Sequence, residues 1–245
     1  MPNIPLSTIL VLDAYVRSDL VGQGIILVQL LLSFFVVKQI LSRYRRLKDI
    51  ETANARFAKL IRDAPENVLA PYLHRKADAL DSPLAKIYRV CCDRVVSLLA
   101  PEVRNSTISA ATPDDRVAMS VRETDLVART AEHTLAEQCC DLQQGLRSIA
   151  VVATVAPMFG LFGTVWGIMV AFNAMASKGS ALLSELAPGI SSALLTTVVG
   201  LFVAIPASCA HAFLVERAKR IRVDCEGFTD ELMGRIANEL QGRGE

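Results

Sequence analysis

Three stretches of this chain carry no Asp, Glu, Lys or Arg: residues 20–37, 148–177 and 186–215. Charged residues make up 21% of the 245-residue sequence, so gaps of that length are not an accident of composition. A helix rises about 1.5 Å per residue and needs about 20 apolar residues to cross the hydrocarbon core. The second and third windows exceed that length, and the first just reaches it. A signal peptide or a buried core helix are the other readings of the first window. A signal peptide places basic residues ahead of its apolar run. Here Asp13, Arg17 and Asp19 precede the run, and Lys38, Arg43, Arg45, Arg46 and Lys48 follow it. The fold class predicted is an all-α membrane protein with three transmembrane helices, at 20–41, 148–176 and 189–215. The net charge of +1 gives no electrostatic reason to expect nucleic-acid binding.

The basic residues also predict orientation, because Lys and Arg are retained on the cytoplasmic side. The cluster after the first span and the cluster Arg217, Lys219, Arg220 and Arg222 after the third both belong inside, as does Arg147 before the second. The connection 177–188 carries only Lys178 and Glu185 and belongs outside. The N-terminal segment 1–19 is then external and helical over part of its length. Residues 42–147 form a helical cytoplasmic domain, and 216–245 a cytoplasmic C-terminal helix.

Within 42–147 no alternation of period two argues for a sheet. Breaks are expected near Pro65 and Pro71, at Asp81-Ser82-Pro83, and from Pro101 to Pro113. After Asp114 a long helix is expected, with a packing stripe of Val117, Val121, Thr124, Ala128, Ala131, Leu135, Gln138, Leu142 and Leu146. Its first breaker is Gly145, so it is predicted to run directly into the second span. Ile221, Cys225, Phe228, Leu232, Ile236 and Leu240 carry the third span's helix onward in the same way. Such stripes pack within the chain or against neighbouring subunits, with the two long helices forming a stalk.

The six cysteines are Cys91-Cys92, Cys139-Cys140, Cys209 and Cys225. They lack the CxxC spacing and nearby His of a metal site and read as small apolar residues. No metal, cofactor or nucleophile motif appears, which argues against an enzyme. The second span places Gly160, Gly163 and Gly167 at helical spacing after Pro157. The third holds Gly189, Ser191, Ser192, Thr196, Thr197, Gly200 and Pro206. Small residues let helix backbones approach closely. Hydroxyls in a bilayer can bond back to their own carbonyls, but Thr154, Thr164, Ser191, Ser192, Thr196 and Thr197 together suggest a polar seam. No charged residue lies in any span core, and His211 is the one titratable group in a window. A proton path normally uses such a residue, so any protonatable group must come from another polypeptide.

The run GLFGTVWGIM at 160–169, followed by APGISSALLTTVVGLFVAIPA at 187–207, resembles the signature of the MotA/TolQ/ExbB proton-channel family. MotA-type subunits have four spans, and GLF-x-AIPA looks more like TolQ. The resemblance implies a proton-channel and stator subunit in the bacterial inner membrane, with its N-terminus periplasmic and its C-terminus cytoplasmic. It implies a homopentamer around a single-span TolR/ExbD-like partner that supplies a protonatable Asp, with a TolA/TonB-like protein beyond. Thr164 and Thr197 match the family's pore-facing threonines, with Thr196 and Ser192 beside them. Pro157, Gly160, Gly163, Gly167, Gly189, Gly200 and Pro206 would serve helix packing in the ring. The family commonly reads PGIAEAL, and Ser192 stands where that Glu would be. His211-Ala212 replaces its usual Tyr-Asn. The driven process stays open among Tol-Pal-type constriction, TonB-dependent uptake and motility. A non-conducting membrane scaffold is the alternative of a different class.

Overall fold

Each charge-free window becomes part of a long helix. The computed structural model describes Tyr15 and residues 19–63, 71–98, 119–178 and 183–241. The helices are α1 (Leu20–Arg62), α2 (Pro71–Asp78), α3 (Pro83–Leu98), α4 (Val121–Gln143), α5 (Leu146–Lys178) and α6 (Leu183–Gln241). The described residues contain no strand. The three helices that contain the windows are long and apolar enough to cross a membrane. The expected breaks at Pro65 and from Pro101 to Pro113 lie outside the described residues, as does nearly all of 1–19.

The chain divides into two compact units, residues 1–43 with 145–214 and residues 44–144 with 215–245. In the first, the apolar parts of α1, α5 and α6 bury a narrow set of residues that includes Ile25, Ile26, Ile149, Val152, Val203 and Ala207. Their remaining apolar surface is open: Phe34 is 75% exposed and Phe202 77%. A soluble protein rarely leaves apolar surface of that extent uncovered, and a bilayer covers it. This unit is the membrane part of the molecule.

The second unit is a conventional core. Phe57 meets Tyr88 edge-on at 5.4 Å between ring centroids, and Phe228 at 6.0 Å. Ile221, Cys225, Leu232 and Ile236 are almost completely buried with them, so the predicted C-terminal stripe is present as far as the described side chains extend. Helix α3 packs against α2 and α4. The expected break at Asp81-Ser82-Pro83 is the start of α3. Ser82 Oγ accepts from the Ala85 N–H at 3.3 Å and donates to Asn54 Oδ1 at 2.6 Å. Pro83 takes the first helical position, where its missing N–H is not needed.

Two expectations about α4 need correction. Its helix begins at Val121, not just after Asp114, because Ser120 and Glu123 close a capping box. That box sets the first turn at the surface, with Val121 80% exposed. The buried face is Val127, Ala131, Thr134, Gln138, Cys139 and Leu142, so Thr124, Ala128 and Leu135 flank it, and Val117 lies outside the described residues. Nor does α4 run unbroken into α5. It stops at Gln143, and Gly145 adopts φ +77°, a left-handed conformation that glycine takes without steric cost. A Cβ at Gly145 would also overlap the Arg43 guanidinium.

At the other end of the spans, α6 begins at Leu183, inside the stretch 177–188 expected as connection. Among the cysteines, Cys91, Cys92, Cys139 and Cys225 are buried as expected of small apolar residues. Cys140 and Cys209 are exposed, Cys209 within the membrane unit.

Candidate functional site

The glycines of the membrane unit are explained by what stands opposite them. A Cβ at Gly160 would lie 2.8 Å from Thr197 Cα and 3.0 Å from the Thr196 carbonyl oxygen. One at Gly167 would lie 2.7 Å from Ala193 Cβ, one at Gly189 3.0 Å from Ala171 Cβ, and one at Gly200 2.7 Å from the Ala156 carbonyl oxygen. At Gly163 it would overlap the Thr196 side chain. Residue numbers rise along α5 as they fall along α6, so the two helices pack antiparallel, backbone against backbone. All five glycines make these contacts within one chain. Pro157 and Pro206 sit inside α5 and α6, where each removes one backbone donor. Pro157 is half-buried and Pro206 exposed.

Close approach lets hydroxyls reach across. Thr196 is 1% exposed. Its Oγ1 lies 2.7 Å from the Ala193 carbonyl oxygen in its own helix and 3.0 Å from that of Gly160 in α5. One hydroxyl proton thus serves two carbonyls and joins the helices. The Thr164 hydroxyl donates to Leu161 O at 2.7 Å, and that of Ser192 to Gly189 O at 2.9 Å. Thr197 behaves differently, because its buried Oγ1 has no hydrogen-bond partner among the described residues. Thr196 and Thr197 therefore meet at Gly160 and Gly163, whereas Thr164 and Ser192 each turn back on their own helix. Outside the spans, the Glu123 carboxyl is held below its usual range by the Ser120 backbone N–H and hydroxyl that it accepts from.

Two contributors were not singled out from the sequence. Gln29, on α1, is completely buried, and its Nε2 donates to the Thr196 carbonyl at 3.0 Å and the Ala156 carbonyl at 3.4 Å. A signal existed: Gly22, Ile25, Ile26 and Gln29 are all buried and fall at helical spacing, so the amide continues an inward face. The second is Asp19. Its Oδ2 accepts from Trp166 Nε1 at 2.7 Å, while its Oδ1 accepts from the Gly22 N–H at 3.0 Å and caps α1. One carboxylate thereby fixes the start of the first span and anchors it to the second.

The site can pack three helices closely and offer hydroxyls. The charge-free windows hold no carboxylate of their own. Known proteins share this part of the chain. The profile of the MotA/TolQ/ExbB proton channel family matches residues 102–226. The Tol-Pal system protein TolQ of Haemophilus influenzae is 48% identical over 102 residues, covering 42% of this chain and 45% of that protein. TolQ of Pseudomonas aeruginosa is 39% identical over 105 residues, covering 43% and 46%. The chain thus spans about half the length of these two relatives. The biopolymer transport protein ExbB of Neisseria meningitidis is 27% identical over 223 residues, covering 91% of this chain and 94% of that protein. Gln29 and Asp19 lie outside the segment that the family profile matches.

Proposed function

We propose that this chain, which belongs to the MotA/TolQ/ExbB proton channel family, is the channel and stator subunit of an inner-membrane motor. The motor would couple proton motive force to work at the cell envelope, of the Tol-Pal or TonB type named in its relatives. One observation carries the reading: α5 and α6 pack closely at five glycines with the hydroxyls of Thr164, Ser192, Thr196 and Thr197 along them, and no Asp or Glu lies in the charge-free windows. That surface suits a partner that brings the charge. The partner is a single-span TolR/ExbD-like helix with an intramembrane Asp, enclosed by a homopentamer of this chain. Thr164 and Thr197 would face that carboxylate, or a water beside it, with Thr196 and Ser192 in support. A TolA/TonB-like protein would carry the output across the periplasm. The chain acts as a conduit and bearing, with no catalysis of its own.

A non-conducting scaffold is the second reading. It is favoured by the hydroxyls of Thr164, Ser192 and Thr196, which are all engaged by carbonyls within the chain. Proton flux into liposomes holding the chain and its single-span partner separates the two. The channel reading expects flux that falls at least tenfold in Thr164→Ala or Thr197→Val. Full motor output without measurable flux supports the scaffold.

A further inference from the structure

One face of α1 forms a continuous exposed stripe. Leu27, Leu30, Leu31 and Phe34 are between 56% and 75% exposed, and Lys38, Arg45 and Lys48 are exposed as well. At 3.6 residues per turn all seven fall within about 100° of arc. Ile25, Gln29, Val36 and Leu47 are buried on the opposite side of the same helix. The stripe is apolar through Phe34 and turns cationic at Lys38, the first residue past the charge-free window.

These cations are unclaimed within the chain. Arg217, Arg220, Arg222 and Arg235 of α6 are each paired with a carboxylate. Lys38, Arg45 and Lys48 have no such partner among the described residues, and Asp49, the one acid between Lys38 and Ile50, pairs with none of them. Their position matters as much as their charge. The headgroup layer adds about 5–8 Å outside the hydrocarbon core, so Lys38 lies within it. Arg45 stands about 10 Å further along the helix axis and Lys48 about 15 Å. In a helix each Cα–Cβ bond tilts towards the N-terminus, which on α1 is the membrane side. Long basic side chains can therefore lean back to the headgroups with their stems along the helix. Arg45 returns towards the layer that holds Lys38, and Lys48 acts on it from about a Debye length, ~8 Å. An apolar track followed by positive charge matches an anionic phospholipid, acyl chain first and phosphate next.

We propose that this face of α1 docks an anionic phospholipid, with an acyl chain along Leu27, Leu31 and Phe34 and the phosphate held by Lys38 and Arg45, while Lys48 strengthens the field. The site rests on the membrane unit and not on the channel reading. The test reconstitutes the full chain in bilayers of phosphatidylcholine with a minor share of phosphatidylglycerol, extracts it in mild detergent, and measures the retained lipids by mass spectrometry. Phosphatidylglycerol should be retained several-fold above its share of the bilayer. The triple variant Lys38→Gln/Arg45→Gln/Lys48→Gln should lower that enrichment about tenfold. Arg56 and Lys59 are exposed on the same face but about 12 Å or more beyond Lys48, so Arg56→Gln/Lys59→Gln should leave it unchanged. Equal losses in both variants would reduce the effect to net charge and overturn the site, as would retention in simple proportion to the bilayer. A triple variant that dissociates the oligomer yet keeps the enrichment places a second copy of the chain on this face and also overturns it. The unaltered protein supplies a check that needs no variant: enrichment should fall in about 1 M salt, where the Debye length shrinks to about 3 Å. Enrichment that persists undiminished there counts against a charge-held headgroup.

Discussion

Arg217 grips Glu51 at two points, with Nε donating to Oε1 at 2.6 Å and Nη2 to Oε2 at 2.5 Å, while its guanidinium lies 4.9 Å from the centre of the Tyr44 ring. The hydrogen bonds from Arg217 hold the Glu51 carboxyl below its usual range, and those same bonds raise Arg217 further. A carboxylate whose pKa is depressed on folding stabilises the fold above its unfolded value and loses that contribution as pH falls through the folded one. Because Glu51 is partly exposed, the pair is worth about 1 kcal/mol rather than the larger value of a buried bidentate pair. Glu51→Gln should lower stability by that amount at neutral pH. It should also flatten the acid limb below the ordinary carboxylate range, as read by melting temperature against pH.

Glycine substitutions should divide by what stands opposite. Gly160→Ala drives a methyl into backbone atoms of α6 and should destabilise the membrane unit by about 1–3 kcal/mol, the usual cost of overpacking. Gly234 has nothing within 4 Å of its Cβ position. Gly234→Ala should stabilise by up to about 1 kcal/mol through helix propensity alone. Thermal melts of the two variants in detergent should shift in opposite directions.

Gly145 faces two separate penalties, a left-handed φ of +77° and the Arg43 guanidinium. The backbone term is about 1–2 kcal/mol for a residue with a Cβ. Gly145→Ala should cost more than that, and its cost should fall back towards the backbone term in an Arg43→Ala background. A double-mutant cycle measures the difference. Additive effects would mean that Arg43 plays no part in the requirement for glycine.

Burial pushes the thiols of Cys91 and Cys225 up to about 12, whereas Cys140 is exposed. Since the thiolate is the reactive form, maleimide at pH 8 should label Cys140 within minutes. Cys91 and Cys225 should stay unmodified until the second unit unfolds. Mass spectrometry of the labelled peptides reads this directly.

Capping at Ser120 predicts a further loss. Ser120→Ala removes the hydroxyl that accepts from the Glu123 N–H at 3.3 Å and should cost about 1 kcal/mol. Hydrogen exchange confined to the first turn of α4 should show it.

Much of this was legible in the sequence. Charge-free windows located the three long helices, and the spacing from Ile221 to Ile236 marked a buried face correctly. The small residues of α5 and α6 pointed to close helix packing. The misses share a cause: periodicity reports a face but not where a helix starts or stops. Ala131, Gln138 and Leu142 of the expected α4 stripe are buried, whereas its first turn was misjudged because a local device, the Ser120–Glu123 box, sets the helix start. The break before α5 hung on one glycine whose backbone angle has no periodic signature. Gln29 was passed over because a single amide in an apolar run is ambiguous until the carbonyls it meets, at Ala156 and Thr196, are known. The Asp19–Trp166 bond was invisible for a similar reason, since it joins residues far apart in the chain.

The five glycines along the α5–α6 seam make this protein's tolerance for change one-sided. Glycine has no smaller replacement, so every mutation at those positions adds atoms where the facing helix already stands about 3 Å or less from the position a Cβ would take. Sequence drift, and any engineer retuning the subunit, is therefore channelled elsewhere. The open outer faces around Phe34 and Phe202 can vary among apolar residues, while the seam can change only where a facing side chain, such as Ala193 or Ala171, loses bulk in step.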